Sequence, residues 1–247
     1  MSIEFPEELL ALQNVGRICH LALHQMRQHV RPGITTAALA DIGAKVMRDN
    51  GARSAPKMVY NFPAEILVSV NDEAVHGIPG SRRVQTGDLV KLDVTFEKDG
   101  FMGDAAITVP VEPVSEESLR LVRCAERAFQ RAMRVARAGN RVNEIGREVE
   151  REVRRSGFSV IRQLGGHGIG RTIHEAPSVP NYEDRTARQR LTKGLVITVE
   201  PIIAAGAGQT ETAEDGWTER TVDGSFSAHF EHTLVVTEHA PILLTAA

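Results

Sequence analysis

Five side chains in this sequence, Asp93, Asp104, His167, Glu200 and Glu231, offer four carboxylates and one imidazole from short apolar stretches. A carboxylate in an apolar strand is costly to bury without a counter-charge. Four that converge repel one another and take up protons near neutral pH unless cations compensate them. Two divalent ions supply that compensation, so the residue types predict a dinuclear metal centre. A lone aspartate in a hairpin is far more often a solvated surface charge; the case for a site rests on how the five are positioned.

Local sequence pairs the first two. The runs 88–96, DLVKLDVTF, and 101–109, FMGDAAITV, are rich in strand formers, and Glu97-Lys98-Asp99-Gly100 separates them. Asp-Gly between such runs predicts a two-residue hairpin turn. Lys98 then faces Phe101, Thr95 faces Asp104, and Asp93 becomes a same-face diagonal neighbour of Asp104, roughly 7–8 Å away.

An internal repeat pairs the rest. Gly33 and Gly139, Gly51 and Gly157, Ala22 and Ala128, and Leu39 and Ile145 are each 106 residues apart. Both segments read as helix, glycine turn, helix, glycine stop. An apolar strand ending in an acid follows each, GDLVKLD at Asp93 and GLVITVE at Glu200, and a returning strand opens with another, at Asp104 and Glu231. The expected fold is α+β and pseudo-twofold, a central antiparallel sheet covered by helix pairs, with the acids at its centre. One domain over 1–247 is expected, built from halves at about 10–110 and 115–240. His167 stands in GGHGIG, where the glycines permit close strand approach and leave the ring uncovered. Imidazole among carboxylates suits manganese, iron, cobalt or zinc better than magnesium or calcium.

Several features read as structural. Cys19 and Cys124 fall in predicted helices as reduced packing residues. His20 and His24 are one helical turn apart with no third ligand nearby, so a solvated face is expected. Arg147, Arg151, Arg154 and Arg155 alternate with Glu144, Glu148, Glu150 and Glu152, the pattern of an ion-paired solvated face. A net charge of −3 gives no general drive towards nucleic acid. No apolar stretch approaches the roughly 20 residues that span a bilayer. The acidic start MSIEFPEELL is unlike a signal peptide, so a cytoplasmic location is expected. Residues 206–225 form a polar excursion between the last two strands, and Trp217 in its middle marks it as a loop that lines a site.

The ordered set HGIPG (His76), LDVTFEKDGFMGD (Asp93, Asp104), GHGIGRTIHEAPSVPN (His167, His174), TVEP (Glu200), DGWT (Trp217) and SAHFEHT (Glu231) resembles type I methionine aminopeptidases. These are creatinase-like enzymes of the pita-bread fold, and the resemblance runs from about Leu10 to Glu238. It implies that Asp104 and Glu231 bridge two divalent ions, that Asp93 binds one, and that His167 and Glu200 bind the other. The implied substrate is the N-terminus of a nascent chain, met at the ribosome, from which a monomeric enzyme removes the initiator methionine when the second residue is small. No membrane or specific nucleic-acid partner is implied.

Two ions sharing carboxylates acidify a water and polarise a carbonyl. Glu200 is then the candidate general base, His174 the donor to the developing oxyanion, and His76 a contact to the scissile nitrogen. Phe62, Leu67, His76 and Trp217 would line a slot for an unbranched thioether. The chain departs from the family pattern there: Val59 and Ile173 stand where aromatics are frequent, and Pro56 and Leu67 where cysteines are. A monovalent cation is implied near Asn71, Glu73 and Ser227. The alternatives are an X-Pro aminopeptidase or prolidase, which shares the five ligands but usually carries an extra N-terminal domain, and a metal-free binding module on the same fold, which generally loses ligands.

Overall fold

The computed structural model describes residues 1–246. The first half runs α1 (Pro6–His29), α2 (Thr36–Asp49), β1 (Arg53–Ser54), α3 (Ala55–Tyr60), β2 (Leu67–Val70), β3 (Glu73–Val75), β4 (Leu89–Lys98) and β5 (Phe101–Pro110). The second begins with α4 (Glu116–Met133), α5 (Val142–Arg155), β6 (Ser159–Val160), β7 (Gly165–Gly168), β8 (Glu175–Pro180) and β9 (Val196–Val199). It continues through β10 (Ile202–Ala204), β11 (Thr210–Thr212), β12 (Glu219–Thr221), β13 (Ser227–His229), β14 (Glu231–Val235) and β15 (Ile242–Leu243).

The repeat is visible in the backbone. Gly33 and Gly139 precede the second helix of each pair at φ 88° and 93°, and Gly51 and Gly157 follow it at 65° and 82°. These are left-handed conformations that only glycine adopts without strain. The main sheet runs β1-β4-β5-β14-β9-β7-β8, with β2 added on β4 and β15 on β14. Its centre is symmetrical: the β4–β5 hairpin of the first half meets β14 and β9 of the second, and β5 lies against β14. The hairpin register is the expected one, Lys98 pairing with Phe101 and Thr95 with Asp104. Asp99 and Gly100 have φ 53° and 84°, as both central residues of a type I′ turn require.

Each helix pair closes one half. Leu12, Ile18, Leu39, Leu92 and Phe96 are buried between α1, α2 and the first hairpin. Leu121, Phe129, Ile145, Ile197 and Leu234 are buried under α4 and α5. Cys19 and Cys124 are free and buried. Two expectations change. Residues 206–225 are not a plain loop between the last two strands: β11 and β12 form a hairpin that pairs with β3 in a separate three-stranded sheet. Glu152 is not part of a solvated face. It is buried and accepts from Arg127 Nε at 2.9 Å and Arg131 Nε at 2.5 Å, clamping α5 to α4. Helical spacing looks the same whether a charge faces water or a neighbouring helix.

Helix α5 approaches the end of β8 closely at Gly146, where a Cβ would lie 2.1 Å from Tyr182 O and 2.5 Å from Pro180 O. An alanine gains about 1 kcal/mol over glycine in a helix, but overpacking against backbone typically costs about 1–3 kcal/mol. Gly146→Ala should therefore lower the unfolding free energy measured in denaturant. A stability gain would show that this contact yields.

Candidate active site

Strand register assembles the acids. Ala106 on β5 pairs with Asp93 on one side and with Glu231 on the other. The three form a row across three strands, so their side chains share a face, and Asp104, two residues back along β5, shares it too. Val199 pairs with His232, which brings Glu200, one residue past the end of β9, beside Glu231. Glu200 and Glu231 both sit where the chain passes between the main sheet and the β13-β10-β6 sheet. His167 enters from β7, its backbone N–H donating to Thr198 Oγ1 at 3.0 Å. The flanking glycines are required by closeness, because a Cβ on Gly166 would lie 2.5 Å from Thr198 O and one on Gly168 2.3 Å from Ala176 O.

The five predicted ligands thus come together. His167 Nε2 is 3.6 Å from Glu200 Oε1 and 3.9 Å from Asp104 Oδ2. Its Nδ1 is 2.9 Å from Gly168 O, so Nδ1–H donates there and the Nε2 lone pair is left for the cluster. Thr95 Oγ1 donates to Asp104 Oδ1 at 2.9 Å, and Thr198 Oγ1 to Glu200 Oε1 at 2.8 Å. These hydroxyls orient the carboxylates from behind. One member was missed from sequence. His229 is 2% exposed, with Nε2 3.3 Å from Glu231 Oε2 and 3.9 Å from Glu200 Oε2. Its signal was its place two residues before Glu231, the spacing that keeps a strand residue on the same face.

The electrostatics call for cations. Burial, then repulsion by Asp104 and Glu200, raises Asp93 well above the carboxylate range, and the same causes raise Glu231. Burial takes Asp104 to about 7, and burial with the Asp104 charge takes Glu200 to about 8. Burial depresses His167 to about 4 and His229 to about 3, so both rings are neutral and have lone pairs to offer. Among the described residues, Glu231 Oε1 and both ring nitrogens of His229 are buried with no hydrogen-bond partner. Donor atoms of Asp104, His167 and Glu231 lie within 4.8 Å of one another, as do those of Glu200, His229 and Glu231. Two donor sets sharing one carboxylate, with orphaned buried atoms, fit divalent ions.

A cavity of about 230 Å³ opens onto this cluster, walled by Phe62, Leu67, Ile173 and Trp217, with His76 and His174 at its sides. Phe62 and Trp217 meet edge to face, with centroids 5.1 Å apart. Thr218 Oγ1 donates to His76 O at 3.4 Å, so the hairpin carrying Trp217 is tied to the segment carrying His76. The His174 ring lies 4.1 Å from that of His167. Tyr60, not anticipated from sequence, faces His174 Nδ1 through its hydroxyl at 2.5 Å and lines the same cavity. Val59, where an aromatic was missing, is exposed; its neighbour Tyr60, itself 43% exposed, borders the cavity. The oxygens expected to hold a monovalent cation, on Asn71 and Ser227, accept from the Lys91 ammonium.

Residues 11–238 match the profile of metallopeptidase family M24. This chain belongs to that family. Among its M24 relatives, methionine aminopeptidase 2 of Bacillus subtilis is 43% identical over 247 residues, covering 99% of each chain. The crystal structure of methionine aminopeptidase from Thermotoga maritima matches with a TM-score of 0.96 at 34% identity, covering 100% of both chains. The prolidase of Pyrococcus furiosus shares the fold, with a TM-score of 0.80 at 21% identity, covering 99% of this chain and 65% of that one. The fold is thus the pseudo-twofold pita-bread architecture. Membership of a metallopeptidase family calls for divalent metal, and the carboxylate cluster supplies candidate ligands. Among the described residues no helix is long and apolar enough to cross a membrane.

The raised acids give a stability signature. Between the ordinary carboxylate value of about 4 and the raised values of about 7 for Asp104 and about 8 for Glu200, the folded metal-free chain holds protons that the unfolded chain releases. The depressed histidines, His167 and His229 among them, act in the opposite sense up to their ordinary value of about 6.5, because there the unfolded chain holds the extra protons. Above about 6.5 only the acids remain, so stability falls as pH rises from there to about 8. Thermal melts of chelated protein should show a falling Tm from about pH 6.5 to 8, and divalent ions should flatten or reverse the trend. A chelated protein whose Tm is level across this range would contradict the buried cluster.

Proposed function

We propose that this chain is a metal-dependent methionine aminopeptidase that removes the initiator methionine from new polypeptides when the second residue is small. The observation that carries this reading is the narrow apolar pocket of Phe62, Leu67 and Trp217 opening directly onto the acid cluster. An unbranched thioether fills such a slot without a polar partner. The 43% and 34% identity to methionine aminopeptidases over nearly the full chain supports the same reading. The substrates are the N-termini of nascent chains, met at the ribosome, and the enzyme acts as a cytoplasmic monomer, one domain of two related halves.

Asp104 and Glu231 would bridge two divalent ions, with Asp93 on one and His167 and Glu200 on the other. Their mixed oxygen and nitrogen donors favour iron, cobalt, manganese or zinc. When bound, such ions supply charge that acidifies a water and polarises the scissile carbonyl. Glu200 takes the proton of the attacking water, its carboxylate held by the Thr198 hydroxyl. His174 donates to the carbonyl oxygen as negative charge develops there. The Tyr60 hydroxyl, in contact with His174 Nδ1, fixes that ring so that its other nitrogen points at the substrate. His76 contacts the scissile nitrogen from the opposite wall. The crowded cluster beside Phe62 and Trp217 excludes a large second side chain.

Peptides decide the matter. Met-Ala-Ser should be cleaved far faster than Met-Leu or Met-Lys peptides, and chelation should abolish turnover until iron, cobalt, manganese or zinc is restored. His174→Ala should lower turnover by roughly 10²–10³-fold with bound divalent metal unchanged; loss of metal would make it a ligand instead. Trp217→Ala should weaken selection at the first residue. Preference for Ala-Pro over Met-Ala would replace this reading by a prolidase-like one.

A further inference from the structure

Lys91 lies on β4, two residues before Asp93, and is only 1% exposed. An ammonium so deeply buried needs its hydrogen bonds satisfied. Its Nζ is 2.6 Å from Asn71 O, 3.0 Å from Ser227 Oγ and 3.3 Å from Ser227 O. The Ser227 hydroxyl hydrogen is committed elsewhere, with Asn71 O at 2.9 Å and Glu73 O at 3.3 Å, so the hydroxyl offers Lys91 a lone pair. Three acceptors call for three N–H groups, and only the charged ammonium has three.

Carbonyl and hydroxyl oxygens converging from separate segments are the donor set of a hard cation. The family resemblance implies a monovalent ion beside these same residues, Asn71, Glu73 and Ser227. This chain does not fit one there, because the lysine nitrogen already fills the position among the oxygens. We propose that the Lys91 ammonium replaces that ion as a cation tethered to the chain, freeing the enzyme from dependence on sodium or potassium. Its role is positional, since it lies outside the substrate cavity. The Asn71 turn leads through β3 to His76, Ser227 leads along β13 to His229, and β4 leads from Lys91 to Asp93. One buried charge therefore gathers the three segments that carry these side chains into the site.

The test compares divalent-loaded wild type and Lys91→Ala in sodium, potassium and choline chlorides at equal ionic strength. Wild-type Tm and kcat/KM should be the same in all three. Lys91→Ala should be weakened in choline, and sodium or potassium should raise its Tm by roughly 2–4 °C or more and recover part of kcat/KM. Crystals soaked in rubidium should show an anomalous peak beside Asn71 and Ser227 in the variant and none in wild type, a comparison that stands for wild type even if the variant fails to fold. Dependence of the wild type on sodium or potassium, a rubidium ion on its Asn71 and Ser227 oxygens, or a folded variant that no monovalent cation restores would overturn the proposal.

Discussion

Like charges crowded in a dry place govern this structure. Asp93, Asp104, Glu200 and Glu231 meet on the inner face of one sheet, and each makes the next harder to ionise. Such a cluster survives only if its geometry is set by something stiffer than side chains. Here that is strand register: Asp93, Ala106 and Glu231 form one row over three strands. A slip of one residue would turn an acid to the other face. The Asp99-Gly100 turn locks one hairpin against slipping, and Thr95, Thr198 and Thr233 fasten the acids or their strands from behind.

The same electrostatics divides labour among the histidines. Deep burial keeps His167 and His229 neutral within the cluster. His174, nearer the solvent and in contact with Tyr60, is placed on the wall of the cavity, where a proton donor can face a substrate. The apolar side of that cavity is built by elements from both halves, Phe62 after α3 and Trp217 in the β11–β12 hairpin. The apolar wall and the acid cluster therefore meet along one seam between the halves.

Much of this was legible in the chain, because short-range rules apply where it matters. Asp-Gly set the hairpin register, and the glycines at a constant offset take matching left-handed conformations around the two helix pairs. What escaped was decided by distant partners. His229 and Glu231 straddle Phe230, where the chain changes sheets, and two-residue spacing alone does not announce that both still face one point. Tyr60 ends a six-residue helix in which Met58, Val59 and Tyr60 are all exposed, so nothing local selects it for the cavity. Lys91 sits among apolar neighbours where any charged strand residue would first be read as an edge or surface position. Glu152 carries the helical spacing of a solvent-facing charge yet answers to α4.

The symmetrical placement of β5 against β14 also sets the order of events as the protein forms. Asp93 and Asp104 are made early and Glu231 near the end, and neither hairpin alone holds enough ligands to retain a cation against water. Contacts so far apart along the chain close last, after loop entropy has been overcome. Metal capture would then be a late step acting as a latch: ions that need donors from both halves would bind only once these had met, and in binding would draw the population towards that state.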